Sequence, residues 1–456
     1  MILPETSDTI VAQATPPGAG ALAVLRLSGR GAFAAAAGFL RPAPKDPPHG
    51  VARLLAVRDG ERLVDRAVAV FFRGPASYTG EDTVELTCHG SPYIVRTILN
   101  LAVSNGARPA APGEFTLRAF LNGKLDLAQA EAVGQLIESG TEAAHRAALT
   151  QAEGGLSREV RAIKEELVGL LAQLEARLDD SYEEQPALEL RAFARAAEAA
   201  RSKAAALAAG YAAGRGIRDG LKVVISGAPN SGKSSLLNAL LGCDRAMVSK
   251  QAGTTRDTLE ASLEIDGFKV LFTDTAGLSA RAGSALEREG MRRARRALEK
   301  ADTVLLVKDS SSKETPADRG AAREAGRLAP EGARVLRLLS KADLSAKGPL
   351  PAGAFRVSAR TGEGLARLRT ALVAEQKKVF RDGAQAVVTS ARHYSALSRA
   401  AAELALLPGK LRGKTPPLEL AAEHLRGALA ALAEVLGETA PEEVLAGVFS
   451  NFCVGK

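Results

Sequence analysis

Residues 227–234, GAPNSGKS, fit the spacing GxxxxGK[ST], and their types suit one job. Glycines let main-chain N–H groups close round phosphate oxygens, the Lys233 ammonium meets the terminal phosphates, and the Ser234 hydroxyl suits a magnesium ion. The run LKVVIS, residues 221–226, leads into the motif and supplies the strand–loop–helix context that such a cradle needs. Asn230, Ser231, Gly232, Lys233, Ser234 and Ser235 are the candidate phosphate contacts.

A phosphate cradle does not name the base. SKAD, residues 340–343, follows a strand-like run. The Asp343 carboxylate can accept both the ring N–H and the exocyclic amine of guanine, whereas adenine offers a ring acceptor there. Sites that read by hydrogen bonds reject the wrong analogue by roughly 10⁴-fold or more. The aliphatic stem of Lys341 suits the purine face, with Ala342 between them. SKAD is similar to the N-K-x-D element of GTPases with Ser340 in place of Asn, so the expectation is that one amide contacting the base and bracing the phosphate loop is lost. Ser358, Ala359 and Arg360 stand where the base-supporting S-A-K element falls.

The remaining switch chemistry lies between these motifs. In DTAG, Asp274 suits a water-mediated magnesium contact, Thr275 and Ala276 follow, and the Gly277 N–H suits the γ-phosphate. Around GTTRD, the residues Ser249, Lys250, Gln251, Ala252, Gly253, Thr254 and Thr255 form the first switch, with Thr255 as the second magnesium hydroxyl. Many GTPases carry Gln after the DTAG glycine; here it is Leu278, which cannot orient water, so another group must neutralise charge and aim the nucleophile. Asn230 suits a monovalent cation, expected to be potassium, completed by Ser249 and Gln251 carbonyls and a Thr254 oxygen; the other reading of Asn230 is a loop-stabilising turn residue. Glu287 suits positioning a water through a second water, or else is a solvated acid in the first turn of a helix.

These loops need elements to hold them. FKVLFTD, DTVLLVKD, ARVLRLLS and FRVSA alternate with helical stretches, the signature of a doubly wound parallel sheet. Before them, Leu156, Val160, Ile163, Leu167, Leu170, Leu174 and Leu178 recur at spacings of three and four, and predict a long amphipathic helix. An Ala-rich helical stretch runs on to about residue 213. After about residue 380, Leu418, Leu425, Leu429, Leu432 and Leu436 repeat the helical pattern. Residues 1 to about 120, with TIVAQAT, ALAVLRLS, AVAVFF and TVEL, read as an α+β block.

At 456 residues, with 46% apolar and 25% charged, the chain is expected to fold as several domains. A net charge of +8 suits contact with a polyanion or plain solubility. Cys88, Cys243 and Cys453 form no CxxC pair, which argues against a disulfide framework or zinc site. No run of eighteen apolar residues and no basic leader are visible, so no membrane partner is expected and the reading is cytoplasmic.

GAPNSGKSSLLNAL, AGTTRD, DTAGL and the closing FCVGK, together with TIVAQATPPGAGALAVLRLSG, SYTGEDTVEL, CHGSPYIV, PGEFTLRAFLNGKLDLAQAEAV and TSARHYSAL, resemble the MnmE (TrmE) family over the whole chain. The resemblance implies an N-terminal folate-binding and dimerisation domain at 1–121, a helical domain in two segments at 122–215 and 380–456, and an inserted Ras-like G domain at 216–379. It implies a GTPase activated by potassium-dependent G-domain dimerisation. With a flavoprotein partner, MnmG (GidA), forming a heterotetramer, such a homodimer attaches an aminomethyl-type group to carbon 5 of the wobble uridine of certain tRNAs. The one-carbon unit comes from a tetrahydrofolate derivative, 5-formyl- or 5,10-methylene-tetrahydrofolate.

Carried over residue by residue, the resemblance places folate at Arg26, Glu85, Lys124 and Lys456, and repeats the magnesium set Ser234 and Thr255 and the potassium set Asn230, Ser249, Gln251 and Thr254. Glu287 becomes the catalytic acid, with Lys233; the preceding segment is one residue longer than the family pattern, which keeps Glu289 open. Cys453 is a candidate in the modification reaction, or else a small buried filler near a helix end. Arg288, Arg292, Arg295 and Arg296 form either a tRNA or partner contact or a solvated helix face. Two other readings are an Era- or Der-like ribosome assembly GTPase, against which the lack of a visible GxxG clamp counts, and a nonenzymatic tRNA-binding scaffold.

Overall fold

The computed structural model describes residues 7–43, 45–178, 189–242, 260–274, 292–344, 350–381, 386–410 and 417–456. By internal contacts they group into two units. One holds residues up to 134 with 152–193 and 406–456, and the other holds 135–151 with 194–405.

The first unit is built on a seven-stranded sheet. Its strands are β1 (Thr9–Gln13), β2 (Leu22–Ser28), β3 (Leu40–Arg41), β4 (Arg53–Asp59), β5 (Arg62–Phe72), β6 (Thr83–His89) and β7 (Ala107–Pro109), in the order β3-β4-β5-β6-β2-β1-β7. Of the expected runs, AVAVFF and TVEL fall wholly in these strands, while TIVAQAT and ALAVLRLS overlap them as TIVAQ and LAVLRLS. Alternation puts Leu25, Leu27, Ala67, Ala69, Phe71, Val84 and Leu86 on one face, where the helices Ala32–Phe39 and Pro92–Ser104 cover them through Ala36, Phe39, Val95 and Ile98. At the end of β6, the Asp65 carboxylate accepts from the main-chain N–H of Arg66 and of His89, at 2.8 and 2.9 Å, and meets the His89 ring at 2.8 Å. Burial alone would raise its pKa, but these three contacts together hold it below the ordinary 3.8.

The long helix expected from the leucine spacing is Gly155–Leu178, with Leu156, Val160, Ile163, Leu167, Leu170 and Leu174 buried and Leu178 half-buried. It packs along Leu418–Leu436, whose Leu425, Leu432 and Leu436 are buried while Leu418 and Leu429 are half-covered. Ion pairs Lys164–Glu438 and Arg426–Glu175 flank the pair. Leu→Ala at such buried positions costs about 2–5 kcal/mol.

The second unit carries β8 (Leu221–Gly227), β9 (Glu260–Ile265), β10 (Phe268–Asp274), β11 (Thr303–Asp309), β12 (Arg334–Ser340) and β13 (Ala354–Arg356), in the order β13-β12-β11-β8-β10-β9. All neighbours are parallel except β9, an antiparallel edge strand joined to β10 through Asp266 and Gly267. The parallel sheet is the doubly wound arrangement expected; the EASLEI edge strand was not, because its alternating charges hide the apolar face formed by Leu263 and Ile265. At the amino ends of the strands, Asp302 is a junction. It accepts the Lys222 N–H at 2.9 Å on Oδ2 and the Arg215 guanidinium on Oδ1, while its own N–H donates to the Lys222 carbonyl at 2.9 Å. Arg215 belongs to the helix Tyr211–Asp219 that enters β8.

Candidate guanine-nucleotide site

Strand β8 ends at Gly227, whose φ of +155° and proximity to its neighbour forbid a side chain: a Cβ there would lie 2.2 Å from the Val307 carbonyl oxygen. The loop then turns through Asn230, left-handed at φ +60°, and closes onto the helix Lys233–Gly242. Its first intrahelical bond runs from Leu236 N–H to Gly232 O at 2.9 Å. The Lys233 ammonium is buried and donates to the Gly227 and Ala228 carbonyls at 2.9 and 2.7 Å. It is thus held over the loop at the helix start, where anions are favoured. Ser234 and Ser235 are exposed on the first turn, as is Asn230 on the loop.

Ser340 corrects one expectation. Loss of the Asn amide was expected to remove the brace on the phosphate loop, yet the buried Ser340 hydroxyl reaches the Ser231 carbonyl at 2.6 Å and the Lys308 carbonyl at 3.1 Å. A hydroxyl carries one proton, so the shorter contact is the hydrogen bond that ties the end of β12 to the loop. The Ser231 hydroxyl itself is buried and has no partner among the described residues.

A cavity of about 500 Å³ opens beside this tie, lined by Gly232, Ser340, Lys341, Asp343, Ala359 and Arg360. Lys341 is left-handed at φ +55° and its ammonium pairs with Asp309 at 2.6 Å, laying its stem along the cavity wall. The Ala342 N–H donates to the Val357 carbonyl at 3.2 Å. The Asp343 carboxylate accepts the Ser358 hydroxyl at 2.6 Å and the Arg360 Nε–H at 2.7 Å, and these bonds, the Ser358 bond foremost, hold it below the usual 3.8. SKAD and SAR, distant in sequence, therefore meet the phosphate loop in one place.

The described residues end β10 at Asp274, in register with Ile225 of β8. Ser249, Lys250, Gln251, Ala252, Gly253, Thr254, Thr255, Thr275, Ala276, Gly277, Leu278, Glu287, Arg288 and Glu289 lie outside them. Of the basic helix, Arg295 pairs with Glu324 at 2.8 Å.

In the first unit, Arg26 and Glu85 are direct cross-strand partners on β2 and β6, and both the Nε and an Nη of Arg26 contact one Glu85 oxygen, at 2.8 and 2.7 Å. The Arg26 guanidinium lies over the Tyr78 and Phe115 rings at 5.2 and 5.7 Å, residues that the sequence did not single out. Tyr78 OH meets Thr116 at 2.9 Å, and burial raises its pKa. Lys456 joins this group because the closing segment threads beside β1. Val454 bridges Pro112, Phe115 N–H donates to the Lys456 main-chain oxygen at 3.2 Å, and a Cβ on Gly455 would lie 2.3 Å from the Gln13 carbonyl oxygen. Burial first, then the Arg26 charge, lowers the Lys456 pKa. Lys124 instead donates to the Pro75 carbonyl at 2.9 Å. Cys453 is exposed, so the reading of it as a buried filler does not hold.

One further cluster escaped the sequence reading. Within PGEFTLRAF, Arg118 and Glu114 are buried and linked to each other, to Asp8 and to Arg108, and Arg118 also to Glu81. The charges in that motif are structural ties across positions far apart in sequence.

A phosphate loop on a parallel sheet, tied to an acid that matches the guanine edge, defines a multidomain P-loop protein of the GTP-binding class. The MnmE helical domain model matches residues 127–453, and the model of the GTP-binding protein TrmE N-terminus matches residues 9–124. The tRNA modification GTPase MnmE of Xanthomonas campestris pv. campestris (strain B100) is 43% identical over 98% of this chain and 99% of its own length. That of Thermus thermophilus is 43% identical with the same coverage. Among solved structures, the G domain of the T. maritima FeoB iron transporter is 28% identical, covering 34% of this chain and 98% of that one at a TM-score of 0.27. The chain belongs to the MnmE (TrmE) family of tRNA modification GTPases.

Proposed function

We propose that this protein hydrolyses GTP to drive modification of the wobble uridine of certain tRNAs. In this reading it acts as a homodimer with a flavoprotein partner, MnmG, and draws its one-carbon unit from a tetrahydrofolate derivative. The observation that carries the GTPase half is the Ser340–Ser231 tie, which joins the phosphate loop to the end of β12, just before the turn Ala342–Leu344 that carries Asp343, the proposed base reader. In this reading 216–379 is the G domain, 122–215 and 380–456 the helical domain, and 1–121 the folate-binding domain.

Among the described residues, the exposed Ser234 hydroxyl at the helix start and the exposed Asn230 side chain on the left-handed turn fit a magnesium and a potassium ligand. Metal ions there would supply positive charge against the phosphates. Lys233 would exchange its loop carbonyls for phosphate oxygens, and Ser340 would keep the loop in register while it does so. In the first unit, Arg26, Glu85, Lys124 and Lys456 are the proposed folate residues: Glu85 suits the pterin donors, with Arg26 bonded to the same carboxylate and Lys456 beside it, while Cys453 is exposed. The Tyr78 and Phe115 rings beneath Arg26 orient its guanidinium.

Mass analysis of wobble uridines tests the whole reading: cells lacking the protein should lose the carbon-5 group, and the Lys233→Ala form should fail to restore it. An unchanged nucleoside profile refutes it. For the cation, hydrolysis is expected to run faster in KCl than in NaCl and to weaken strongly in Asn230→Ala; equal rates in the two salts remove the potassium assignment alone.

A further inference from the structure

The two partners of Asp343 differ in kind. Ser358 is fully buried and donates to Oδ1, a fixed part of the wall. Arg360 donates Nε–H to Oδ2 from a side chain that is 73% exposed, and it lines the same cavity as the carboxylate. The chemistry of its donor edge matters here. Guanine presents N1–H and the 2-amino group to a carboxylate as two coplanar N–H donors on one carbon, and this edge is itself a guanidine. The Arg360 guanidinium is built on the same planar pattern and sets one of its donors, Nε–H, on Oδ2 of that carboxylate.

We propose that Arg360 is a built-in competitor for the base: its guanidinium occupies the Asp343 carboxylate in the manner of guanine, and the purine must displace it to bind. The inference rests on the assignment of Asp343 as the guanine reader. Arg360 thus acts on entry of the nucleotide, through the carboxylate, and Ser358 keeps that carboxylate oriented throughout the exchange.

An exposed pair of this type is weak, so removing it is expected to shift binding by no more than roughly fivefold. Stopped-flow association and equilibrium binding of GDP to the full chain provide the measurement. Arg360→Ala is expected to associate two- to fivefold faster and to bind GDP correspondingly tighter, with Arg360→Lys intermediate. Raising ionic strength with tetramethylammonium chloride should narrow the gap between wild type and Arg360→Ala, because salt screens the exposed pair. In an Asp343→Asn background, assayed with xanthosine diphosphate, whose 2-oxo group accepts from the amide, Arg360→Ala should give no gain.

Weaker GDP binding by Arg360→Ala would overturn the proposal and make Arg360 a support for the base. A gain of equal size in the Asp343→Asn background would also overturn it, since the effect would not pass through the carboxylate. If Asp343→Asn itself left GDP binding unchanged, the base assignment would fall, an outcome separate from either of these.

Discussion

The phosphate loop and the Arg26 cluster solve the problem of gathering polar groups in opposite ways. At the loop, the candidate contacts are six consecutive residues, Asn230 to Ser235, set between a strand end and a helix start. At the cluster, Arg26, Glu85 and Lys456 come from two strands and the closing segment, up to 430 residues apart, and meet only because the β2–β6 register and the threaded tail put them there. The first is local and cheap to encode; the second depends on the fold being complete. A contiguous site should survive damage elsewhere in the chain, whereas an assembled one should fail when a distant element is disturbed.

The largest effect expected is on the local site. Lys233→Ala removes the buried ammonium, and GTP hydrolysis should fall by a factor on the order of 10² to 10³, as when one charge-stabilising donor is removed from a preorganised site. Phosphate release at saturating GTP measures it, and folate protection of the first unit should be untouched. At the assembled site, Arg26→Ala should weaken tetrahydrofolate binding by about 10- to 100-fold, the cost of a charged hydrogen bond. Limited proteolysis with and without a reduced folate reads this out, and removal of residues 453–456 should have the same effect while GTP hydrolysis persists. Equal loss of both activities on removing the tail would break the contrast between the two sites.

Smaller effects sharpen it. Ser340→Ala deletes the tie to Ser231 and should cost about 1 kcal/mol, a fivefold or so loss of GDP affinity seen by calorimetry. An unchanged affinity would show that the loop holds its shape alone. The smallest concerns pH. Asp65 has its pKa lowered below 3.8 by its bonds to His89 and Arg66, so its contribution to stability is present above about pH 4 and is lost as pH falls through the lower folded value. Acid unfolding followed by circular dichroism should therefore begin at higher pH in Asp65→Asn.

Sequence reasoning reached the strands of the second unit other than β9, and the long helix, because continuous β-branched runs and three–four leucine spacings are local signals. It reached SKAD and SAR for the same reason. Ser340 shows where such reading stops: the residue type announces a lost amide, while the replacement bond depends on a 2.6 Å approach to the Ser231 carbonyl that no spacing encodes. Tyr78 and Phe115 were missed because nothing in SYTGED or PGEFTL marks an aromatic that will lie under an arginine from β2. The Asp8–Arg108–Glu114–Arg118 ties were missed likewise; a charge reads as solvated until the register shows it buried.

Strand β8 carries the phosphate loop at one end and, at the other, Lys222 main-chain atoms clasped on both sides by Asp302, which also grips the entering helix through Arg215. Seven residues of extended chain span roughly 20 Å, with neighbours hydrogen-bonded along both edges. Such a rod cannot slide in its slot. A pull on the loop is therefore borne as tension along its length, as by a tie-bar anchored at the far end, and is felt by the helix that leads into it.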